Sequence, residues 1–161
     1  MISDQTLKNA VKKYDNTTEY EAILYVSLEG GVGDIITAAG VGMVLGHALV
    51  KTVGVGVGGA LGGMSNDWAI MTVNDENLYF YVLDKFKTTL KIVNKIVLPC
   101  EKVVKLKIGK FLIWNSLKIY FVDTSNRKKK KIKVSISDKV MGIKEQKENV
   151  RILLDYIKTK G

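Results

Sequence analysis

The sequence predicts an α+β chain: an antiparallel β barrel or sandwich capped by a C-terminal helix, with a short N-terminal helix and a glycine-rich helical insert. Three observations predict it. Short apolar runs separated by polar turns recur from Trp68 to Ile136. They are followed by Ile143, Val150, Leu153, Leu154 and Ile157, an apolar stripe at helical spacing. Twelve of the fifteen glycines lie between Gly30 and Gly63. The chain therefore divides into residues 1–29 (helix and first strand), 30–66 (apolar insert, a helix or helical hairpin) and 67–161 (β domain with its helix).

Each element has a local cause. Leu7, Ala10, Val11 and Tyr14 fall on one helical face behind Ser3 and Asp4, a cap and a first-turn acid. Asp15-Asn16-Thr17-Thr18 ends that helix. Glu21 to Leu28 reads as a strand, rich in apolar, aromatic and β-branched residues. Trp68–Val73 and Leu78–Leu83 form the clearest hairpin, turning at Asn74-Asp75-Glu76-Asn77. Lys91 to Leu98 is the next strand, stopped by Pro99, the one proline. In Val103 to Ile108, Val104, Leu106 and Ile108 alternate with Lys105 and Lys107, as in a half-buried strand. Gly109-Lys110 is expected to break it, with Phe111 to Trp114 extending the sheet. Leu117 to Val122, a turn at 123–127, and Ile132, Val134 and Ile136 alternating with Lys131, Lys133 and Ser135 complete the strands.

Charge is unevenly placed. Residues 1–66 carry a net −2, and the remainder +11 of the overall +9. Only Arg127 and Arg151 are arginines, so the excess is lysine, a hydrated point charge. That suits attraction to anionic surfaces better than bidentate reading of bases, and nucleic acid is a poor fit. Arg127, Lys128, Lys129, Lys130 and Lys131 form the densest run and are the candidate anionic-surface contact. The competing reading is a solvated edge that discourages sheet-to-sheet pairing.

The order of these elements resembles the bacterial pleckstrin-homology-like (PH-like) and GRAM-like domains. The resemblance rests on WAIMTVNDENLYFYVLD (68–84), NKIVLPCEKVVKLKIGKF (94–111), LKIYFVD, KIKVSIS and KEQKENVRILLDYIK. It covers 68–160, with Glu21–Leu28 as a first strand. Such domains bind lipids, peptides and proteins, and the resemblance implies a binding module. Basic residues on the first hairpin hold inositol phosphates in some members. Here the insert would interrupt that hairpin, so this specificity is not carried over.

Within the insert, Gly42, Gly46, Gly54, Gly58 and Gly62 lie on a four-residue grid. On a helix this makes a groove that lets a second helix approach closely, and it resembles the glycine zippers of membrane-associated helices. A packed soluble hairpin, a flexible loop or a strand through Gly54–Gly58 are the competing readings. Gly30-Gly31-Val32-Gly33-Asp34 after a strand, with Gly40, Gly42 and Gly46, also offers a weak phosphate- or adenosyl-cradling pattern.

Catalytic groupings are sparse. His47 is the sole histidine and lies in the apolar insert. Cys100 is the sole cysteine, which rules out an intramolecular disulfide and fits a reducing compartment. No catalytic residue, metal or cofactor is expected. The expected function is a non-enzymatic adaptor or interaction module, associated with a membrane through the zipper and the basic surface. The alternatives are a soluble oligomeric protein-interaction module and a cofactor-binding enzyme using Gly30–Gly46. Anionic lipid, a protein partner or a second copy of the chain are the expected partners. The expected location is the cytoplasm, including the inner face of the membrane.

Overall fold

In the computed structural model the described residues are 2–29, 44–45, 67–84, 90–122 and 129–160. They form two helices, α1 (Asp4–Tyr14) and α2 (Gln146–Lys160), and eight strands. The strands are β1 (Ala22–Leu28), β2 (Val44–Leu45), β3 (Asp67–Val73), β4 (Asn77–Leu83), β5 (Ile92–Pro99), β6 (Val103–Phe111), β7 (Trp114–Val122) and β8 (Lys129–Ser137). All pair antiparallel in one open sheet, in the order β2-β5-β4-β3-β1-β8-β7-β6. Two meanders thus lie on either side of β1, and α+β describes the whole.

Alternation along the strands gives the sheet two faces. The inner face gathers Leu24, Val26, Leu28, Met71, Phe80, Ile96, Leu117, Ile119, Phe121, Ile132, Val134 and Ile136 around Val150, Leu153, Tyr156 and Ile157 of α2. Residues of both meanders belong to this one cluster, so the sheet wraps α2. The opposite face of β1, β3, β4 and β5 packs Ile23, Ile70, Tyr79, Tyr81, Leu83 and Val97 against Leu7 and Val11 of α1. No described helix covers the corresponding face of β6, β7 and β8.

The capping expected at Ser3 is present. The Thr6 N–H donates to Ser3 Oγ at 3.2 Å, and the Ser3 N–H donates to Thr6 Oγ1 at 2.7 Å. Asp4 then reaches across to α2, accepting the N–H groups of Lys144 and Glu145, both at 2.9 Å. Those are donors that the approach to a helix N-terminus leaves open. β1 and β8 pair only at Ser27–Ser135 and Leu28–Val134. Beyond that, the fully buried Gln146 side chain stands in for a strand. It accepts from the Tyr25 N–H at 3.0 Å and donates to the Tyr25 and Ser137 carbonyls at 2.9 and 3.0 Å.

One expectation needs correction. Gly109-Lys110 does not break a strand: both residues sit inside β6, and a Cβ at Gly109 would meet open space. The chain turns instead at Leu112-Ile113, between Phe111 and Trp114. Leu112 takes φ 54° and is the one turn residue with positive φ, a II′ pattern that ordinarily takes glycine. The expected helical insert falls mostly outside the described residues. At Val44–Leu45, however, the backbone is extended and pairs with Val97 and Ile96. The free edge of β5 offers unpaired backbone groups, and an extended segment satisfies them where a helix would not.

Candidate functional site

The uncovered outer face of β6–β8 is where the basic residues converge. Register places side chains there in rows across the strands. Lys107, Lys118 and Lys133 are directly opposite one another, one from each strand. The next row is Lys105, Tyr120 and Lys131, and Lys129 follows opposite Val122. Adjacent strands are about 4.8 Å apart, so the outer lysines of the first row are backbone-separated by about 10 Å. That is about one Debye length at 0.1 M salt, so their fields add. Like charges directly opposite one another destabilise a sheet. Among the described residues no acid lies on this face of the three strands. The acid in register is Glu29, at the β1 end of the first row, whose N–H donates to the Lys133 carbonyl at 3.0 Å. Lys107 Nζ lies 5.8 Å from the Tyr120 ring centroid, a cation–π contact that fixes one amine on the surface.

Following the same face toward the hairpin turn, a neutral row of Gly109, Ser116 and Ser135 comes next, then Phe111 opposite Trp114. The tip is apolar and wet: Phe111 is 74% exposed, Leu112 76%, Ile113 42% and Trp114 46%. It is also held. The Asp138 N–H donates to the Ile113 carbonyl at 2.8 Å. The Asp138 carboxylate accepts from Asn115 Nδ2 at 2.6 Å and pairs with Lys110 at 3.1 Å. Met141, in the loop after Asp138, is 92% exposed.

The residues singled out from sequence are placed unevenly. Lys129 and Lys131 are exposed in β8 on this face, and the Lys130 backbone pairs with Phe121. Arg127 and Lys128 lie outside the described residues, as do Gly42, Gly46, Gly54, Gly58, Gly62 and His47. Lys105, Lys107, Lys118 and Lys133 were missed as a group. Their signal is the recurrence of lysine at alternate positions in KLK (105–107) and KIK (131–133), which an antiparallel meander stacks onto one side. The tip was missed because a four-residue apolar run reads as strand.

Two other places hold chemistry of a kind. Cys100 Sγ meets the Tyr156 hydroxyl beside a cleft of about 360 Å³, lined by Leu78, Val103, Val104, Lys105 and Leu106. Burial, then the bond to Cys100, raises the Tyr156 hydroxyl well above its ordinary pKa, so it stays protonated. Asp15 follows α1 and pairs with Lys95, whose amine lies 5.0 and 5.7 Å from the Tyr79 and Tyr81 ring centroids. Burial would raise the Asp15 carboxyl, but the bonds from Lys95, Thr18 and Thr17 outweigh it and hold the pKa well below the usual carboxylate range. Its partners fasten the end of α1 to the sheet, a structural role. Among the described residues no group of three His, Cys, Asp or Glu is gathered to hold a metal ion. No helix among them is long and apolar enough to cross a membrane.

Fold and surface together define an α+β chain with one antiparallel sheet, two helices and a one-sided cationic face. No protein-family model matches the chain, and no curated protein matches it. Among solved structures it is similar to the hSac2 domain from human phosphoinositide phosphatase Sac2. That likeness has 6% identity, 99% coverage of this chain, 84% of the other, and a TM-score of 0.48. At that identity and score it assigns neither family nor activity.

Proposed function

We propose that the chain is a PH-like binding module, an adaptor rather than an enzyme, that associates with anionic membrane surfaces through the outer face of β6–β8. The order of elements supports the PH-like reading: β3–β5 on one side of β1, β6–β8 on the other, and a C-terminal helix against the inner faces. The observation that carries the functional reading is the row Lys107–Lys118–Lys133. Folding gains nothing from three cations side by side, whereas an anionic lipid surface adds about 1 kcal/mol for each lysine near it. The face extends the lysine run read from sequence instead of replacing it. The glycine grid remains part of the proposal as a second, apolar point of attachment or self-contact.

The test is co-sedimentation of the full chain with vesicles. Phosphatidylcholine vesicles containing phosphatidylserine should pellet it at low salt, and binding should weaken steeply as salt rises. Equal binding to purely zwitterionic vesicles, or none to either, would remove the lysine face from the account. The exposed apolar tip also favours a second reading, a soluble module that closes an oligomer. That reading expects a defined oligomer without lipid, independent of the lysines.

A further inference from the structure

We infer that the β6–β7 hairpin tip, Phe111-Leu112-Ile113-Trp114, is a wedge that enters the boundary between headgroups and acyl chains of an anionic bilayer. The inference rests on the lysine-face reading and deepens it by giving that face an orientation and an apolar anchor.

Four consecutive large apolar side chains stand in solvent at a two-residue turn, where Asn-Gly or Gly-X is the ordinary choice. An exposed apolar run of that length needs a use. Leu112 sits at φ 54°, so a bulky side chain is kept where glycine would be at ease. The Asp138 N–H to Ile113 carbonyl bond and the Lys110–Asp138 pair hold the turn in place. A held turn presents its side chains without first having to order them.

Charge selects the occupant. Phe111 and Trp114 share the face of Lys105, Lys107, Lys118, Lys131 and Lys133. The first lysine row lies four residues from the tip, about 13 Å along the strands. A hairpin leaning on the bilayer can therefore bury its tip about 5–10 Å deep while the lysines stay at headgroup level. Tryptophan is the side chain favoured at that boundary. Apolar wedge and cationic face are thus arranged for the two layers of one anionic bilayer.

Emission from Trp114 tests this directly. The chain has two tryptophans, and Trp68 stacks on Tyr25 at 5.1 Å, so Trp68→Phe keeps an aromatic ring there and leaves Trp114 as the reporter. Adding phosphatidylserine-containing vesicles should shift its emission to the blue and expose it to a quencher carried on the upper acyl chain. Phe111→Ser and Leu112→Ser should each weaken partition about tenfold or more, with the salt-sensitive part of binding retained. Vesicle binding with Trp114 still in an aqueous environment, open to iodide, would overturn the wedge and leave the lysine face standing. Failure to bind vesicles at all would overturn both. A blue shift without lipid that grows with protein concentration, accompanied by sedimentation as a dimer, would assign the tip to a second copy of the chain and overturn the wedge.

Discussion

The two meanders are made of similar strands and treated differently by the rest of the chain. β3–β5, with β1, is covered on both faces, by α2 inside and α1 outside. β6–β8 is covered inside only. In the first half nearly every side chain is accounted for by packing: Phe80 and Tyr81 are neighbours in β4, face opposite ways, and are both fully buried. In the second half the inner face is packed along β7 and β8, with Leu117, Ile119 and Ile132 buried, while no residue of the edge strand β6 is fully buried. The outer face, by contrast, carries aligned lysines and a turn with the wrong residue for its φ. Features that cost stability and lie on one surface point to binding, and features that all serve packing do not.

The largest effect expected on this contrast lies in the doubly covered half. Phe80→Ala should cost about 3–5 kcal/mol in denaturant unfolding, because a fully buried ring leaves a cavity between strands that cannot close up. Next is the Asp15–Lys95 pair that fastens α1. Its folded-state pKa is depressed, so the stabilisation is complete above the unfolded carboxyl value of about 3.9 and is lost as pH falls below it. Asp15→Asn should cost about 3 kcal/mol at neutral pH and flatten the loss of stability below pH 4, measured by thermal unfolding across an acid series. In the singly covered half the signs reverse. Leu112→Gly should stabilise by about 1 kcal/mol, by relieving positive φ at a bulky residue, while weakening vesicle binding. Stability lost at that position would mean the tip packs, and would erase the contrast. Lys118→Glu is the smallest expected change, a gain of about 0.5 kcal/mol as two like-charge pairs become attractive ones.

The β3–β4 hairpin was legible because turn and strand chemistry agree there: Asn74 Oδ1 accepts from the N–H groups of Glu76 and Asn77, as its place in the turn implies. The N-terminal helix was legible for the same reason, with Ser3 at its cap. At the β6–β7 turn, local chemistry and fold disagree. Gly109 has open space around it and an ordinary strand conformation, so its identity misleads, and Leu112 hides the true turn. The site was harder still. Lysines 107, 118 and 133 are scattered along the chain and become a row only through register, which no single stretch of sequence states. The compact 127–131 run drew attention because it is contiguous, and it supplies only part of that face.

Lys118→Glu also separates the claim that the outer face of β6–β8 is kept for an anionic surface from its alternatives. The decisive measurement is partition of this variant onto phosphatidylserine-containing vesicles, beside the unaltered chain at the same low salt. A severalfold or greater loss of binding is expected, from a protein that is folded and slightly more stable. Unchanged partition would contradict the claim and return the lysine row to the status of a solvated surface.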